Sequence, residues 1–462
     1  MASDRYPPQI KYIVGNEACE RFSFYGVSSI LVLYMGQFLL YGKQEATAIY
    51  HLFVAVSYLT PMVGGYVADR LTGRYAVILY VSLAYVLGHA VLALWETRVG
   101  LWVGLLLIAA GAGGIKPCVS AFVGDQFPPD RKRLLERVYG WFYWIINLGS
   151  ASAKSLIPWL MKDHGPAMAF APPGIAMALA VVVFWVGRRH YVRTPPSGPN
   201  PHAFLKVTFH ALRRAGTGRA GEHWLDVARD QHPADAVEGA KSVYRLLGIF
   251  AAVTLFWSLF DQKSSRWVQQ AQQMDLTFFG REVSPAQIQV MNPLLVMALI
   301  PLFTWGVFPL LERWGVRLTP LRKMTAGMFV TVLSFVASAT VQTLLDGGQQ
   351  LHALWQAPQY LLLTSAEVLV SVTGLEFAYT QAPRAMRSTI MSFWFLTVFL
   401  GNLLVSALNL LLRLDGAPYY WVFAVLMLLA ALAFQWVARR YRPVEAPAPT
   451  PAAAGSSGTP ST

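Results

Sequence analysis

The chain has 462 residues, 55% of them apolar and only 13% charged, with a mean hydropathy of +0.43. An ordinary soluble chain carries about 25% charged residues, so this one has too little charge to cover globular domains and reads as a membrane protein rather than a soluble enzyme. The net charge of +13 does not mark a nucleic-acid partner, because the basic residues are scattered among short loops between apolar segments.

The opening MASDRYPPQIKY lacks a basic segment followed by a short apolar core and cleavage site, so no signal peptide is expected. Apolar runs long enough to span a bilayer follow at roughly 12–41, 48–68, 75–95, 100–124, 138–161 and 168–187. A polar stretch rich in Pro, Gly and His fills 188–242, and six more runs lie at roughly 243–268, 288–311, 322–345, 352–380, 389–412 and 418–438. This pattern predicts an all-α membrane protein with an N-terminal bundle over 1–187, a linker over 188–242, a C-terminal bundle over 243–442 and a disordered tail over 443–462. Lys and Arg recur in every second loop, as with Arg70 and Arg74, Arg131 to Arg133, Arg188 and Arg189, and Arg313 and Arg317, so both termini are expected in the cytoplasm. Cys19 and Cys118 lie in apolar stretches and form neither a disulfide framework nor a metal set.

The loop after the second run reads Gly65-Tyr-Val-Ala-Asp69-Arg70-Leu-Thr-Gly73-Arg74, and an acidic-Arg pair recurs six runs later in Glu312-Arg313-Trp-Gly-Val-Arg317. The first version resembles the cytoplasmic loop motif of the major facilitator superfamily. The resemblance implies twelve transmembrane helices in two six-helix bundles that rock around a central site.

An ionisable residue inside a span is costly unless it meets a partner or a wet cavity. The first run holds Glu17, Glu20 and Arg21, which offsets of three and four place on one helical face. Such a cluster can move a proton or act as a static pair between helices. Lys116, just before Pro117, needs an anion, whether Glu17, Glu20 or a substrate carboxylate. His51 titrates near neutral pH yet also suits a hydrogen-bonded core position. Asp261 and Arg266, five residues apart, make a poor local pair, so each is expected to look elsewhere. Glu367 sits in a span without Lys or Arg and suits an ammonium group.

Several of these residues fall within longer motifs. Glu17-Ala-Cys-Glu20-Arg21-Phe-Ser-Phe-Tyr25-Gly26 is joined by Gly113-Gly114-Ile115-Lys116-Pro117, Phe142-Tyr143-Trp-Ile-Ile-Asn147, Phe256-Trp257-Ser-Leu-Phe-Asp261-Gln262 and Glu367 with Gly374-Leu-Glu376-Phe377. Together they resemble the proton-dependent oligopeptide transporter family, in wording close to its animal members but without their large extracellular domain, as in a compact bacterial member. The resemblance implies proton coupling at Glu17, Glu20, Arg21, His51, Lys116 and Asp261. It also implies that Arg21 and Lys116 face a peptide's carboxylate, that Glu367 takes its amino terminus, and that Tyr25, Tyr58, Trp257, Trp394, Asn147 and Asn292 line the pocket. Two departures, Ser28 for a second Arg and Thr304 for an Asp, imply a gate built differently and leave Arg266 without its expected partner.

The function expected from all this is a proton-coupled symporter that imports di- and tripeptides by alternating access, in the cell membrane. A relative that moves nitrate, a drug or another organic anion is the alternative. No Gly-Lys-Ser/Thr phosphate loop and no set of nucleophile, base and oxyanion donors stands out, so neither ATP hydrolysis nor an enzyme is expected. The partners expected are peptides, protons and the lipid bilayer, with no cofactor, metal, nucleic acid or obligate protein partner.

Overall fold

The computed structural model describes residues 6–128, 131–198, 200–214, 216–217, 222–381 and 386–441; the tail over 443–462 lies outside the described residues. The first half holds α1 Ile10–Gln37, α2 Lys43–Val67, α3 Arg74–Leu94, α4 Arg98–Asp125, α5 Lys132–His164 and α6 Pro166–Val186. A short helix, α7 Phe204–Arg213, lies in the connection. The second half holds α8 Ala234–Phe260, α9 Arg266–Ala271, α10 Met291–Pro301, α11 Phe308–Arg313 and α12 Pro320–Asp346. It ends with α13 Ala357–Glu367, α14 Thr373–Thr380, α15 Arg387–Leu412 and α16 Gly416–Arg440. A two-stranded hairpin, β1 Thr277–Phe278 and β2 Arg281–Glu282, is the one sheet among the described residues.

Several helix boundaries follow from local chemistry. The Thr97 side chain accepts from the Gly100 backbone N–H to cap α4, and Pro166 opens α6 directly after Gly165, whose φ of +85° favours glycine. Single π-helical stretches interrupt the second half at Leu302–Val307 and Val368–Val372. Such stretches frequently occur at functional sites.

Among the described residues, ten helical segments are long and apolar enough to cross a membrane. The helices α1 and α5 are of similar length, 28 and 33 residues, and carry charged residues that lower their hydropathy. Buried side chains form one core mainly from the first six helices, which Val268 and Ala286 of the second half join, and another from α7 to α16. Leu83 and Leu87 on α3, Ile175 and Leu179 on α6, and Leu428, Leu429 and Leu432 on α16 face outward. So much apolar surface would aggregate in water and suits acyl chains.

The helix α8 starts at Ala234, inside the stretch expected to be linker over 188–242. A hydropathy reading misses its first turns because they carry Glu238 and Lys241, which pair with the connection. Lys241 lies 2.7 Å from Asp226 and Arg229 lies 2.6 Å from Glu238. The connection is also more than a tether: Phe204 of α7 packs on Tyr244 of α8 and Phe393 of α15.

Candidate functional site

The loop between α2 and α3 is built around one arginine. Arg74 lies 2.7 Å from Asp125 at the end of α4 and 3.1 Å from Asp69, which joins three helix ends of the first bundle. Gly73, with φ +84°, makes the turn that brings Arg74 round. Arg70 donates to the Ser197 hydroxyl and the Gly198 carbonyl, tying the motif to the connection. Gly65 lies one and a half turns earlier on α2, its Cα facing Pro117 of α4. A Cβ at neighbouring Gly64 would come 2.7 Å from the Gly113 carbonyl oxygen, so α2 and α4 touch backbone to backbone. The echo in the second half has no counterpart to this lock: Glu312 makes no ion pair among the described residues.

That close packing sets Lys116 of α4 beside α1 and α2. Its ammonium lies between the rings of Phe24 and Tyr58, 4.1 Å from each centroid, and has no hydrogen-bond partner among the described residues. The anion expected from Glu17 or Glu20 is therefore absent: both carboxylates pair with Arg21 instead, at 3.1 Å and 2.5 Å. Glu20 is wholly buried, and neither oxygen has a hydrogen-bond partner among the described residues; Oε2 is in ion-pair contact with Arg21 and Oε1 has no partner of either kind. A buried carboxylate with one oxygen on a guanidinium and the other free has room for a proton.

Across the interface, Glu367 ends α13 where the π-helical stretch begins. Asn292 donates to its Oε2 at 2.9 Å and to the Thr364 hydroxyl at 3.1 Å, which fixes the carboxylate from one side. Trp257 and Trp394 meet edge to face, centroids 6.3 Å apart, and both are buried. Tyr58 packs against both cores and reaches Phe395. Tyr25 is half-buried below Lys154, whereas Asn147 is buried and spends an amide hydrogen on its own helix, at the Tyr143 carbonyl. Glu376 lies exposed on α14.

Asp261 lies where α8 gives way to a 3-10 turn, and it is the end of a chain of hydrogen bonds between the bundles. Asn402 donates through Nδ2 to Asp261 at 2.7 Å, leaving its carbonyl oxygen for His51 Nδ1, also at 2.7 Å. Nδ1 therefore carries a hydrogen, and Nε2, 2.9 Å from the Ser265 hydroxyl, accepts when the ring is neutral and donates when it is charged. The serine hydroxyl can turn to the Gln262 carbonyl in the second case, so His51 is satisfied in both protonation states. It is a wholly buried core residue.

Around this chain the two bundles are tied together. Gln269 donates to the Lys43 carbonyl and Thr47 hydroxyl, Gln289 to the Ser29 carbonyl, Gln287 to the Ser155 carbonyl, and Lys162 pairs with Glu282. Among the described residues every hydrogen bond between the bundles lies in the half away from the Asp69–Arg74 loop. As expected, Asp261 and Arg266 do not pair with each other. Arg266 does find an acid, Asp415 at 3.3 Å, together with the Asn409 amide oxygen and the Tyr419 ring. Ser28 only donates to the Tyr25 carbonyl, and Thr304 lies exposed in a π-helical stretch.

A profile described as the POT family matches residues 75–422. Solute carrier family 15 member 2 of Rattus norvegicus is 38% identical over 396 residues, which is 80% of this chain and 54% of that protein. The chain belongs to the POT family. Among solved POT family structures, the transporter PepTSo superimposes with a TM-score of 0.89 at 41% identity, over 95% of this chain and 99% of that one. An auto-inhibited POT family peptide transporter gives 0.90 at 40% identity, over 96% and 99%. This POT family chain is thus an all-α, multi-pass membrane protein with the fold of these transporters. It spans about half the length of the animal relatives it matches.

The site contains two residues that the motifs did not point to. Lys154 of α5 is 3% exposed and Lys263, beside Asp261, is 5% exposed. Both lie inside apolar runs, so the cost of burying an ammonium was the signal available.

Proposed function

We propose that the protein is a proton-coupled symporter that imports di- and tripeptides by alternating access across the cell membrane, with the Asp69–Arg74 loop in the cytoplasm. One observation carries this reading: the first bundle offers the unpaired ammonium of Lys116 and the guanidinium of Arg21, while the second holds Glu367 ready by Asn292. A zwitterionic peptide laid between them meets a cation at its carboxylate and an anion at its amine. The peptide carboxylate competes with Glu20 for Arg21, and Glu20, with Oε1 free, takes up the proton; binding of substrate and proton are then linked.

The homology to peptide transporters supports the substrate class. A carrier of nitrate or another small anion has no use for Glu367, so that alternative is not favoured. With a membrane potential worth about 2.3 kcal/mol per charge per 100 mV, one proton suffices to concentrate a neutral zwitterion. The protein is read as a carrier, not an enzyme, with no cofactor and no obligate protein partner. The test is uptake of labelled dialanine into proteoliposomes under an inward proton gradient, with tripeptide, tetrapeptide and nitrate as competitors. Accumulation that collapses with an uncoupler and is blocked by tripeptide but not nitrate is expected; block by nitrate without peptide uptake would contradict the reading.

A further inference from the structure

The charges between the two bundles do not pair off evenly. Arg21 holds both Glu17 and Glu20, which leaves the ammonium groups of Lys116, Lys154 and Lys263 against the carboxylates of Asp261 and Glu367. Lys263 is anchored, since it donates to the Phe260 carbonyl at 3.2 Å and lies over the Phe260 ring. Lys154 is not. It sits in the last third of α5 with no hydrogen bond and no ion pair within 4 Å among the described residues, its ammonium 5.6 Å from the centroid of the Tyr25 ring. Lys263, Asp261 and Glu367 belong to the opposite bundle. A buried ammonium without an anion is costly.

We infer that Lys154 is a specificity residue that takes an acidic side chain, so that the site prefers dipeptides containing aspartate or glutamate to neutral ones. This rests on the peptide reading above. In that reading the peptide amine occupies Glu367 and its carboxylate occupies Arg21 and Lys116, so Lys154 and Lys263 are left with Asp261, whose Oδ2 already accepts from Asn402. One ammonium then lacks an anion. A second carboxylate on the substrate supplies it, a neutral side chain leaves it unmet, and a basic side chain adds a further positive charge.

The experiment compares Ala-Glu and Glu-Ala with their isosteres Ala-Gln and Gln-Ala as inhibitors of dialanine uptake, in the unmodified protein and in Lys154→Met and Lys154→Arg. In the unmodified protein one acidic peptide is expected to inhibit about tenfold better than its isostere, which is about 1.4 kcal/mol. Lys154→Met brings the ratio to about one, and Lys154→Arg keeps the preference. If Lys154→Met does not transport, the thermal shift of the purified protein with the same four peptides reads the same ratio. No acidic preference in the unmodified protein, or a preference that survives Lys154→Met, overturns the inference while neutral dipeptides still bind. If no dipeptide binds the unmodified protein, the peptide reading falls and takes this inference with it.

Discussion

The two ends of the molecule are held by different kinds of contact. At the end of the Asp69–Arg74 loop the strong contacts are charged and stay within one bundle, as with Arg74 between Asp69 and Asp125. At the other end the contacts are mostly neutral amides and hydroxyls, and they run between bundles. A charged lock that leaves both bundles free suits a rigid body. A set of exchangeable neutral hydrogen bonds, each worth about 1 kcal/mol net, suits a surface that must part and close again. The structure is closed at the end away from the loop motif.

The largest effect should come from preventing that parting. In Thr47→Cys with Gln269→Cys, oxidation to the disulfide is expected to cut uptake by at least about 100-fold, with recovery on reduction, because a covalent bond replaces contacts of about 1 kcal/mol. Transport that persists in the cross-linked protein would show that this end does not have to part. Next comes His51→Ala, which leaves Asn402 and Ser265 without their shared partner; we expect uptake to fall about tenfold and maleimide to label a cysteine at Ser29 faster. Arg74→Ala should cost about 1–3 kcal/mol of thermal stability by stranding Asp125, with a smaller loss of uptake than His51→Ala, measured side by side. The smallest effect belongs to the connection. Lys241 holds the Asp226 carboxyl below its usual range, so this contact stabilises the protein above the ordinary aspartate range and is lost as pH falls through the lowered value. Asp226→Asn should lower the melting temperature slightly at pH 7, corresponding to less than about 1 kcal/mol, and leave it unchanged in acid.

These two ends also differ in how far they could be read from sequence. Glu17, Glu20, Arg21, Lys116 and Glu367 are legible because a charge in an apolar run is expensive and so advertises itself, and the loop motif is contiguous. The helical architecture follows from the same hydropathy. The closed end is different: His51 and Asn402 are 351 residues apart, and glutamines such as Gln269 and Gln289 carry no periodic or charge signal. Of the three anions expected for Lys116, neither glutamate meets it, because Arg21 on their own helix takes both by proximity and leaves the lysine to two aromatic rings, with a substrate carboxylate as the remaining candidate. Arg266 gained a partner that motif comparison did not offer, since Asp415 lies in a loop before α16. The start of α8 stayed hidden because its first turns are held by ion pairs rather than by apolar burial.

In the proposed mechanism Glu20 carries the proton that drives substrate uptake. This is tested most directly by comparing Glu20→Gln with the unmodified protein in two assays on the same proteoliposomes, gradient-driven accumulation of dialanine and counterflow exchange without a gradient. Glu20→Gln is expected to keep exchange and lose accumulation. Accumulation that survives, or equal loss of both activities, would contradict it.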